Sequence, residues 1–487
     1  MKHKFILSVI FAALLTSAYA ENPKREFRGA WMHVIFQDQY HNQSTEQNKA
    51  YLRDQLDKLK DAGVNAVIFQ IRPQADALYP SEIEPWSRFL TDNGAPPEPF
   101  WDPLRFMIDE SHARGMELHA WLNPYRVTSA KTQVLPPNHI YHKHPEWFLR
   151  YDDKLYFDPG LPESREFITD VVMDIVNRYD VDGIHFDDYF YPYPVKGKEF
   201  PDADSYARYG DGMDLGDWRR RNVDLLIEGL HEKLRAAKPW VIFGISPFGI
   251  WRNKTNDPRG SDTNGLQNYD ALYADVLLWA HNGWIDYLLP QLYWELDHKV
   301  APYLVLVDWW DKNAEGRHMF IGQSVRNTMT HKDTGDSNDE TQLRHKIELT
   351  RKGDNIAGNC WWPAYDITQN FNGVADSLMV DYQATVALVP TYPWISDRKP
   401  GAVGEVRNEG ARLLWDAPEI KGSPDDAVKF VVYRFEPGDP LDLDNVEAIE
   451  GLTWANEYVI EYPGVYVVTA LSRVNQESLP SEPVIVP

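Results

Sequence analysis

The chain has 487 residues, of which 43% are hydrophobic and 13% are aromatic, so it can bury a large core and is too long for one ordinary domain. Its formal net charge of −24 at pH 7 makes the surface strongly acidic, and such a surface repels phosphate groups. The charge therefore argues against nucleic acid and anionic lipid as partners.

The first 20 residues have the three features of a signal peptide. Lys2 and Lys4 supply positive charge, an apolar run covers residues 5–15, and the sequence AYA at residues 18–20 matches a cleavage site. The apolar run is too short to anchor the chain in a bilayer, and no cysteine lies near it for lipid attachment. We therefore expect an exported protein, periplasmic or extracellular, that is neither a lipoprotein nor stably inserted in a membrane.

From residue 27 onward, apolar runs of strand type alternate with helical patterns. Strands are predicted at residues 27–35, 65–73, 116–126, 181–192, 241–250, 285–294, 318–325 and 355–366. Helices are predicted at residues 44–62, 104–114, 164–179, 217–237, 271–281, 303–313, 341–352 and 374–382. This alternation predicts an α/β fold, a closed (β/α)8 TIM barrel. An open doubly wound sheet is the alternative, but no glycine-rich phosphate loop follows the first strand.

The fourth predicted strand segment contains a short apolar run, from Ile184 to Phe186, that ends in two adjacent carboxylates, Asp187 and Asp188. A turn is predicted at Asp182 and Gly183, and a short buried strand runs from there to the acid pair. Buried like charges disfavour each other's ionisation, so such a pair is found more often in a functional site than in a turn. Capping of the following helix by one aspartate is the structural alternative.

The residues predicted at the carboxyl ends of the strands are carboxylates, amides, cationic groups and aromatic rings. The functional residues of a TIM barrel lie at these strand ends. This mixture is suited to sugars, because polar groups form hydrogen bonds with hydroxyls and aromatic faces pack against sugar rings. No Cys or His cluster suggests a metal or another cofactor. We predict substrate binding by Gln70, Arg72, Asn123, Tyr125, Arg126, His185, Tyr189, Trp251, Gln291, Tyr293, Trp361 and Asp366.

Structural roles are the alternatives for some of these side chains. A structural salt bridge is the alternative for Arg72 and for Arg126, since buried arginine is usually paired. Trp362 is assigned to the site together with Trp251 and Trp361, because all three lie at predicted strand ends. Tryptophans on or beside helices, namely Trp284, Trp309 and Trp310, are expected in the core.

Seven segments in the same order resemble the glycosyl-hydrolase-like 10 family of bacterial exported proteins. They are FRGAWMHVI, FQIRPQADALYPS, HAWLNPYR, FDPGLPESREF, YDVDGIHFDDYFYP, GISPFGIW and WIDYLLPQLYW, between residues 27 and 295. The resemblance implies a TIM barrel and a glycoside hydrolase that acts on cell-wall glycan. The implied substrate is the peptidoglycan strand from which the stem peptides have been removed.

The run DGIHFD in the fourth strand is also similar to a motif of α-amylase-type barrels, whose final Asp is the nucleophile. This likeness implies that Asp187 is the nucleophile or base with His185 beside it, and Asp188 is the alternative acid. A glycosidase needs a second carboxyl, but no Glu follows the fifth or the seventh predicted strand. Glu295 after the sixth strand is therefore the candidate general acid, with Asp366 as second choice.

The composition changes after residue 382. A proline-rich linker is predicted at residues 388–403, and short strand-like segments between turn residues predict a small all-β sandwich at residues 404–487. The order of these segments looks like a fibronectin type III domain, for which a spacer or glycan-docking role is expected. The barrel domain is assigned to residues 21–387.

Two alternative functions remain open from the sequence. The missing acids after strands five and seven are consistent with a non-catalytic glycan-binding protein on a degenerate barrel. The amylase-like run is consistent with an α-glucan hydrolase. Neither the glycosidic linkage nor the stereochemical outcome follows from the sequence.

Overall fold

The computed structural model describes residues 22–333 and 339–487. Eight parallel strands close into a barrel with helices outside it, which confirms the predicted TIM barrel. The predicted signal peptide lies outside the described residues. None of the described helices combines the length and apolar character that a membrane span requires.

The barrel strands and the main helix after each strand are labelled in chain order. The strands are β1 (Phe27–Met32), β2 (Ala66–Arg72), β3 (Glu117–Leu122), β4 (Gly183–Phe186), β5 (Ile242–Ile245), β6 (Tyr287–Leu288), β7 (His318–Ser324) and β8 (Ile356–Trp362). The helices are α1 (Thr45–Asp61), α2 (Pro103–His112), α3 (Pro162–Arg178), α4 (Leu215–Ala237), α5 (Val276–His281), α6 (Tyr303–Lys312), α7 (Leu343–Lys352) and α8 (Val374–Ser377). The order around the barrel is β1-β8-β7-β6-β5-β4-β3-β2.

Strand burial follows from this closure. Every residue of β1 to β6 is buried because side chains alternate between the barrel interior and the helix layer. Helix α1 illustrates the outer layer. It starts with a capping box between Ser44 and Gln47, and its stripe of Leu52, Leu56 and Leu59 is buried.

Two details differ from the sequence prediction. Gly183 is not in a turn but pairs within β4, opposite His119 of β3. A Cβ at Gly183 would lie 2.8 Å from His119 Nδ1, so glycine makes room for that ring. Strand β6 has only two residues, because Pro290 soon follows it and cannot donate a ladder hydrogen bond.

The C-terminal part is all-β, as predicted. Its strands are β9 (Val406–Asn408), β10 (Arg412–Trp415), β11 (Ala427–Phe435), β12 (Ile449–Thr453), β13 (Glu457–Val459), β14 (Gly464–Ser472) and β15 (Val484–Val486). They form antiparallel sheets of order β9-β10-β13 and β12-β11-β14-β15. Trp415 of the first sheet packs with Phe430 and Val468 of the second in one core. The likeness to fibronectin type III and the domain boundaries stay predictions.

This C-terminal unit packs against the amino-terminal end of the barrel. Lys429 of β11 forms an ion pair of 2.6 Å with Glu117, the first residue of β3. Arg473 reaches Asp180 at 3.0 Å. Tyr392, from the segment predicted as a linker, is buried with residues of the barrel interior. The strands end at the opposite side of the barrel, which is the side at which TIM barrels carry their sites.

Candidate active site

A cavity of about 310 Å³ lies at the carboxyl ends of the barrel strands. This is the end at which TIM-barrel proteins carry their sites. Acids, amides and aromatic rings together form its wall. It is lined by Trp31, His33, Ile35, Phe36, Gln70, Trp121, Arg126, Asp187, Asp188, Tyr189, Tyr193, Ser246, Gln291, Tyr293 and Trp362.

Asp187 is at the cavity floor and is only 4% exposed. Its Oδ2 accepts hydrogen bonds from Trp121 Nε1 at 3.2 Å and from Asn123 Nδ2, and its Oδ1 accepts one from the Tyr189 amide at 3.2 Å. The alternation of β4 directs Gly183 and Asp187 to the barrel axis. Protein donors therefore hold this carboxyl in one orientation.

Asp188 lies beside it and is 2% exposed. Because β4 ends at Phe186, the backbone leaves strand geometry here and the second acid also faces the cavity. Its Oδ2 accepts from the Tyr193 hydroxyl, and its Oδ1 accepts from Gln291 Nε2 at 3.3 Å. The structure thus brings both adjacent acids to the floor of the cavity.

Burial raises the pKa of Asp187, and the charge of Asp188 raises it further, while Arg126 opposes the shift. Burial also raises the pKa of Asp188, against the hydrogen bonds from Tyr193 and Gln291. The two carboxyls titrate as a pair, because ionisation of one disfavours ionisation of the other. Near neutral pH the pair can therefore present one protonated acid and one carboxylate.

Amide orientation around the pair is fixed by a chain of contacts. Gln70 Oε1 accepts from the backbone amides of Val34 and Ile35 at 3.0 Å, so its Nε2 donates to Asn123 Oδ1 at 2.8 Å. Arg126 Nη2 donates to the same Asn123 oxygen at 2.7 Å. The Asn123 nitrogen is consequently turned towards Asp187.

Aromatic rings form the other walls of the cavity. Trp121 and Trp362 meet edge to face at 6.1 Å, and Trp31 meets Tyr293 in the same way at 6.4 Å. The Arg126 guanidinium stacks over Tyr189 at 4.8 Å. Such rings offer flat apolar faces to a sugar ring. The cavity therefore combines a carboxyl pair with sugar-binding surface.

Arg72 does not reach the cavity. Its guanidinium is fully buried and forms an ion pair of 2.5 Å with Glu84. It also donates to the carbonyl oxygens of Asn123 and Pro124 at 2.6 and 3.0 Å. Its position matches the salt-bridge alternative, and its contacts support the loop after β3.

The two carboxyls predicted to face the acid pair lie elsewhere. Glu295 Oε1 is 3.2 Å from His331 Nε2, and Asp366 accepts two hydrogen bonds from Arg326, at 2.8 and 2.7 Å. Neither lines the cavity, and among the described lining residues only Asp187 and Asp188 carry carboxyls. The structure therefore does not place a second acid across from the pair.

Four other predicted binding residues are buried away from the cavity. Trp251 stacks on Trp309 at 5.8 Å, and Trp361 and Tyr125 belong to the core between strands and helices. Alternation along β8 explains the position of Trp361, since its neighbour Trp362 faces the cavity and Trp361 must face outward. His185 lies below the cavity inside the barrel.

Several lining residues have no predicted role in the sequence analysis. Trp31, His33 and Ile35 alternate along and just beyond β1, and Trp121 of β3 precedes Asn123, just beyond that strand, by two residues. The signal that could have found them is this period of two, counted backward from the strand ends. Tyr193 lies in the aromatic segment after the acid pair.

The barrel and its acid-containing, aromatic cavity have the architecture of a glycoside hydrolase, and the sequence comparisons agree with this class. The model of the family glycosyl hydrolase-like 10 matches residues 26–336, and the chain belongs to this family. It is a glycoside hydrolase.

Curated relatives extend the match beyond the barrel. The chain is 39% identical over 452 residues to glycosyl hydrolase YngK of Bacillus subtilis (strain 168), covering 89% of this chain and 88% of that protein. It is 42% identical over 268 residues to glycosyl hydrolase DigH of Escherichia coli (strain K12), covering 53% of this chain and 61% of that protein. The glycoside hydrolase domain of PgaB (BpsB) from Bordetella bronchiseptica aligns with a TM-score of 0.48 and 14% identity, over 74% of this chain and 99% of that one.

Proposed function

We propose that this protein is an exported glycoside hydrolase that cleaves the peptide-free glycan strands of bacterial peptidoglycan with Asp187 and Asp188. The observation that carries the proposal is the buried acid pair at the floor of an aromatic cavity. The substrate is the one implied by the family resemblance. Export is the expectation from residues 1–20.

The paired acids support hydrolysis in two proton transfers. The protonated acid gives its proton to the glycosidic oxygen, and the C1–O electron pair leaves with that oxygen. The remaining carboxylate stabilises the positive charge that develops at C1. Water then adds to C1 and returns a proton to the acid that lost one, so the pair regains its starting state.

The cavity is large enough to hold a sugar unit of a glycan strand. Its volume of about 310 Å³ is at the small end of ligand pockets, which span about 300–1,000 Å³. The rings of Trp31, Trp121 and Trp362 lie next to the acids and offer apolar faces on which sugar rings can pack. Arg126 adds a cation beside the acid pair that can bond sugar hydroxyls or a carboxyl on the sugar.

The test is digestion of purified peptide-free peptidoglycan strands. We expect soluble fragments from the wild type and a rate at least about 100-fold lower for Asp187→Asn and for Asp188→Asn. Asp308→Asn is the matched control, because this aspartate is exposed on α6 and pairs with Lys312 within its helix. Intact strands that still bind would favour the glycan-binding alternative, and digestion of starch instead would favour an α-glucan hydrolase.

Export is tested on the full-length chain by cell fractionation. We expect the protein outside the inner membrane, with Glu21 as the first residue of the processed form. Retention in the cytoplasm with residues 1–20 still attached would contradict this part of the proposal.

A further inference from the structure

A line of polar side chains runs along the barrel interior below the cavity. Trp31 Nε1 is 3.2 Å from His185 Nε2, and His185 Nδ1 is 2.9 Å from the Tyr287 hydroxyl. The same hydroxyl is 3.0 Å from His119 Nδ1, and His119 Nε2 is 3.4 Å from Glu117 Oε2. We call these five side chains the axial array.

The upper end of the axial array fixes the direction of its hydrogen bonds. An indole nitrogen can only donate, so His185 Nε2 must accept from Trp31. Burial lowers the pKa of His185 well below its usual value, and the ring is therefore neutral with its single proton on Nδ1. That nitrogen donates to the oxygen of Tyr287, whose hydroxyl proton is then directed to His119 Nδ1.

The lower end of the array is consistent with this direction. His119 accepts on Nδ1, so its Nε2 carries the proton and donates to Glu117. Burial opposes ionisation of Glu117, but Lys429 and His119 together lower its pKa below the usual value. Lys429 Nζ reaches Glu117 Oε1 at 2.6 Å, and Asn475 Nδ2 donates to the same oxygen at 3.0 Å. A residue of the C-terminal unit thus keeps the end of the array an acceptor.

Two strand glycines make space for the axial array. A Cβ at Gly244 would lie 1.9 Å from the Tyr287 ring, and one at Gly183 would lie 2.8 Å from His119 Nδ1. Both glycines lie in regular barrel strands, where glycine weakens the strand unless another group needs the space. The barrel interior is therefore shaped around these two rings.

The upper end of the axial array reaches the active site by two routes. Trp31 itself lines the cavity. Ser246 Oγ is 2.9 Å from His185 Nε2, and the carbonyl oxygen of Ser246 accepts from Gln291 Nε2 at 3.0 Å. Gln291 in turn donates to Asp188. The acceptor state of His185 therefore determines how two cavity residues are held.

We propose that the C-terminal β unit is a positioning element of the active site, and that Lys429 acts through the axial array. By keeping Glu117 ionised, Lys429 excludes the alternative in which Glu117 donates to His119, so the lower end of the array agrees with the direction that Trp31 imposes at the upper end. His185 Nε2 is then always an acceptor for Trp31, with Ser246 Oγ beside it at 2.9 Å. Lys429 is a positioning residue, since it touches no part of the cavity.

Loss of Lys429 would leave a buried carboxylate without its cation, and such a group takes up a proton. A protonated Glu117 can donate to His119 Nε2, which permits the opposite direction along the whole array. His185 would then present an N–H to the N–H of Trp31. Two donors cannot bond each other, so Trp31 and Ser246 would shift at the cavity floor.

The experiment compares Lys429→Met with Arg473→Met. Arg473 is the matched control, because it also links the C-terminal unit to the barrel but pairs with Asp180 outside the array. Nitrogen-15 NMR of histidine-labelled protein reports which ring nitrogens of His119 and His185 carry protons. We expect changed ring-nitrogen shifts and a kcat at least about tenfold lower for Lys429→Met. For Arg473→Met we expect unchanged ring-nitrogen shifts and a kcat within about twofold of wild type.

A double variant covers the case in which Lys429→Met does not fold. Lys429→Met with Glu117→Gln leaves no buried charge at this position. The amide of the introduced glutamine can donate or accept, so we expect the same changes in ring-nitrogen shifts and in kcat. A folded variant with wild-type ring shifts overturns the proposal, and so does one with changed shifts but wild-type kcat. The ring shifts need no substrate, so they decide the direction of the array even where the proposed glycan proves wrong.

Discussion

Asn123 turns its amide nitrogen towards Asp187 because its amide oxygen is already bound by Gln70 and Arg126. This relationship makes a neutral residue control the charge state of the acid pair. A donor to Asp187 stabilises the carboxylate form and partly offsets the effect of burial.

Asn123→Asp should damage catalysis more than folding. The exchange keeps the size of the side chain, removes a donor and adds a third carboxyl, so repulsion should raise the pKa of the pair further. We expect kcat to fall about 100-fold and the remaining activity to move to higher pH, measured as kcat over a pH series. Asn256→Asp, at an exposed loop position, should leave both quantities unchanged. An unchanged pH profile for Asn123→Asp would contradict the prediction.

Tyr193→Phe tests the environment of Asp188. The Tyr193 hydroxyl donates to this carboxyl and lowers its pKa, so removing the hydroxyl should raise the pKa of Asp188. Activity at low pH is lost when the carboxylate of the pair takes up a proton. The acid limb of kcat/KM against pH should therefore move to higher pH, by at least half a unit if the bond contributes about 0.7 kcal/mol.

The control for this variant is Tyr206→Phe, whose hydroxyl donates to the carbonyl oxygen of Met213 away from the cavity. Its pH profile should match the wild type. Movement of the acid limb to lower pH in Tyr193→Phe would show that the hydroxyl favours the protonated acid instead.

The barrel could be predicted because its strands are continuous apolar runs that alternate with amphipathic helices. The position of Asp187 and Asp188 also followed, since the carboxyl end of a buried strand is where a barrel carries its site. Both inferences use only local sequence and one rule of architecture. They do not depend on distant contacts.

The residues placed elsewhere depend on contacts that local sequence does not show. Glu295 is held by His331 and Asp366 by Arg326, and both partners come from the segment that follows β7. Trp361 is wrongly assigned for another reason. One residue of strand register separates Trp361 in the core from Trp362 in the cavity. Their assignment requires the exact end of β8, which sequence patterns define poorly.

Arg72→Met should affect stability rather than substrate binding. The variant leaves Glu84 buried without its cation, which typically costs about 3–5 kcal/mol of unfolding free energy. We expect this loss in denaturant unfolding, with KM within about twofold of wild type for protein that remains folded. Arg53→Met breaks a surface pair with Glu110 and should cost less than about 1 kcal/mol. A large rise in KM with little loss of stability would restore Arg72 as a binding residue.

Asp188→Asn should remove activity and increase stability at neutral pH. The pKa of Asp188 is raised in the folded protein, so the carboxyl costs stability once the pH exceeds its unfolded value of about 3.9, and the cost is complete above the folded pKa. An amide has no such cost, and each pKa unit corresponds to about 1.4 kcal/mol. Unfolding by denaturant at pH 7.5 should therefore show a higher free energy for the variant than for the wild type, and the difference should shrink towards pH 4. A variant less stable than wild type at pH 7.5 would contradict the prediction. It would mean that the hydrogen bonds from Tyr193 and Gln291 outweigh the cost of burying the charge. Asp188 would then be a structural carboxylate rather than one retained for catalysis at a cost in stability.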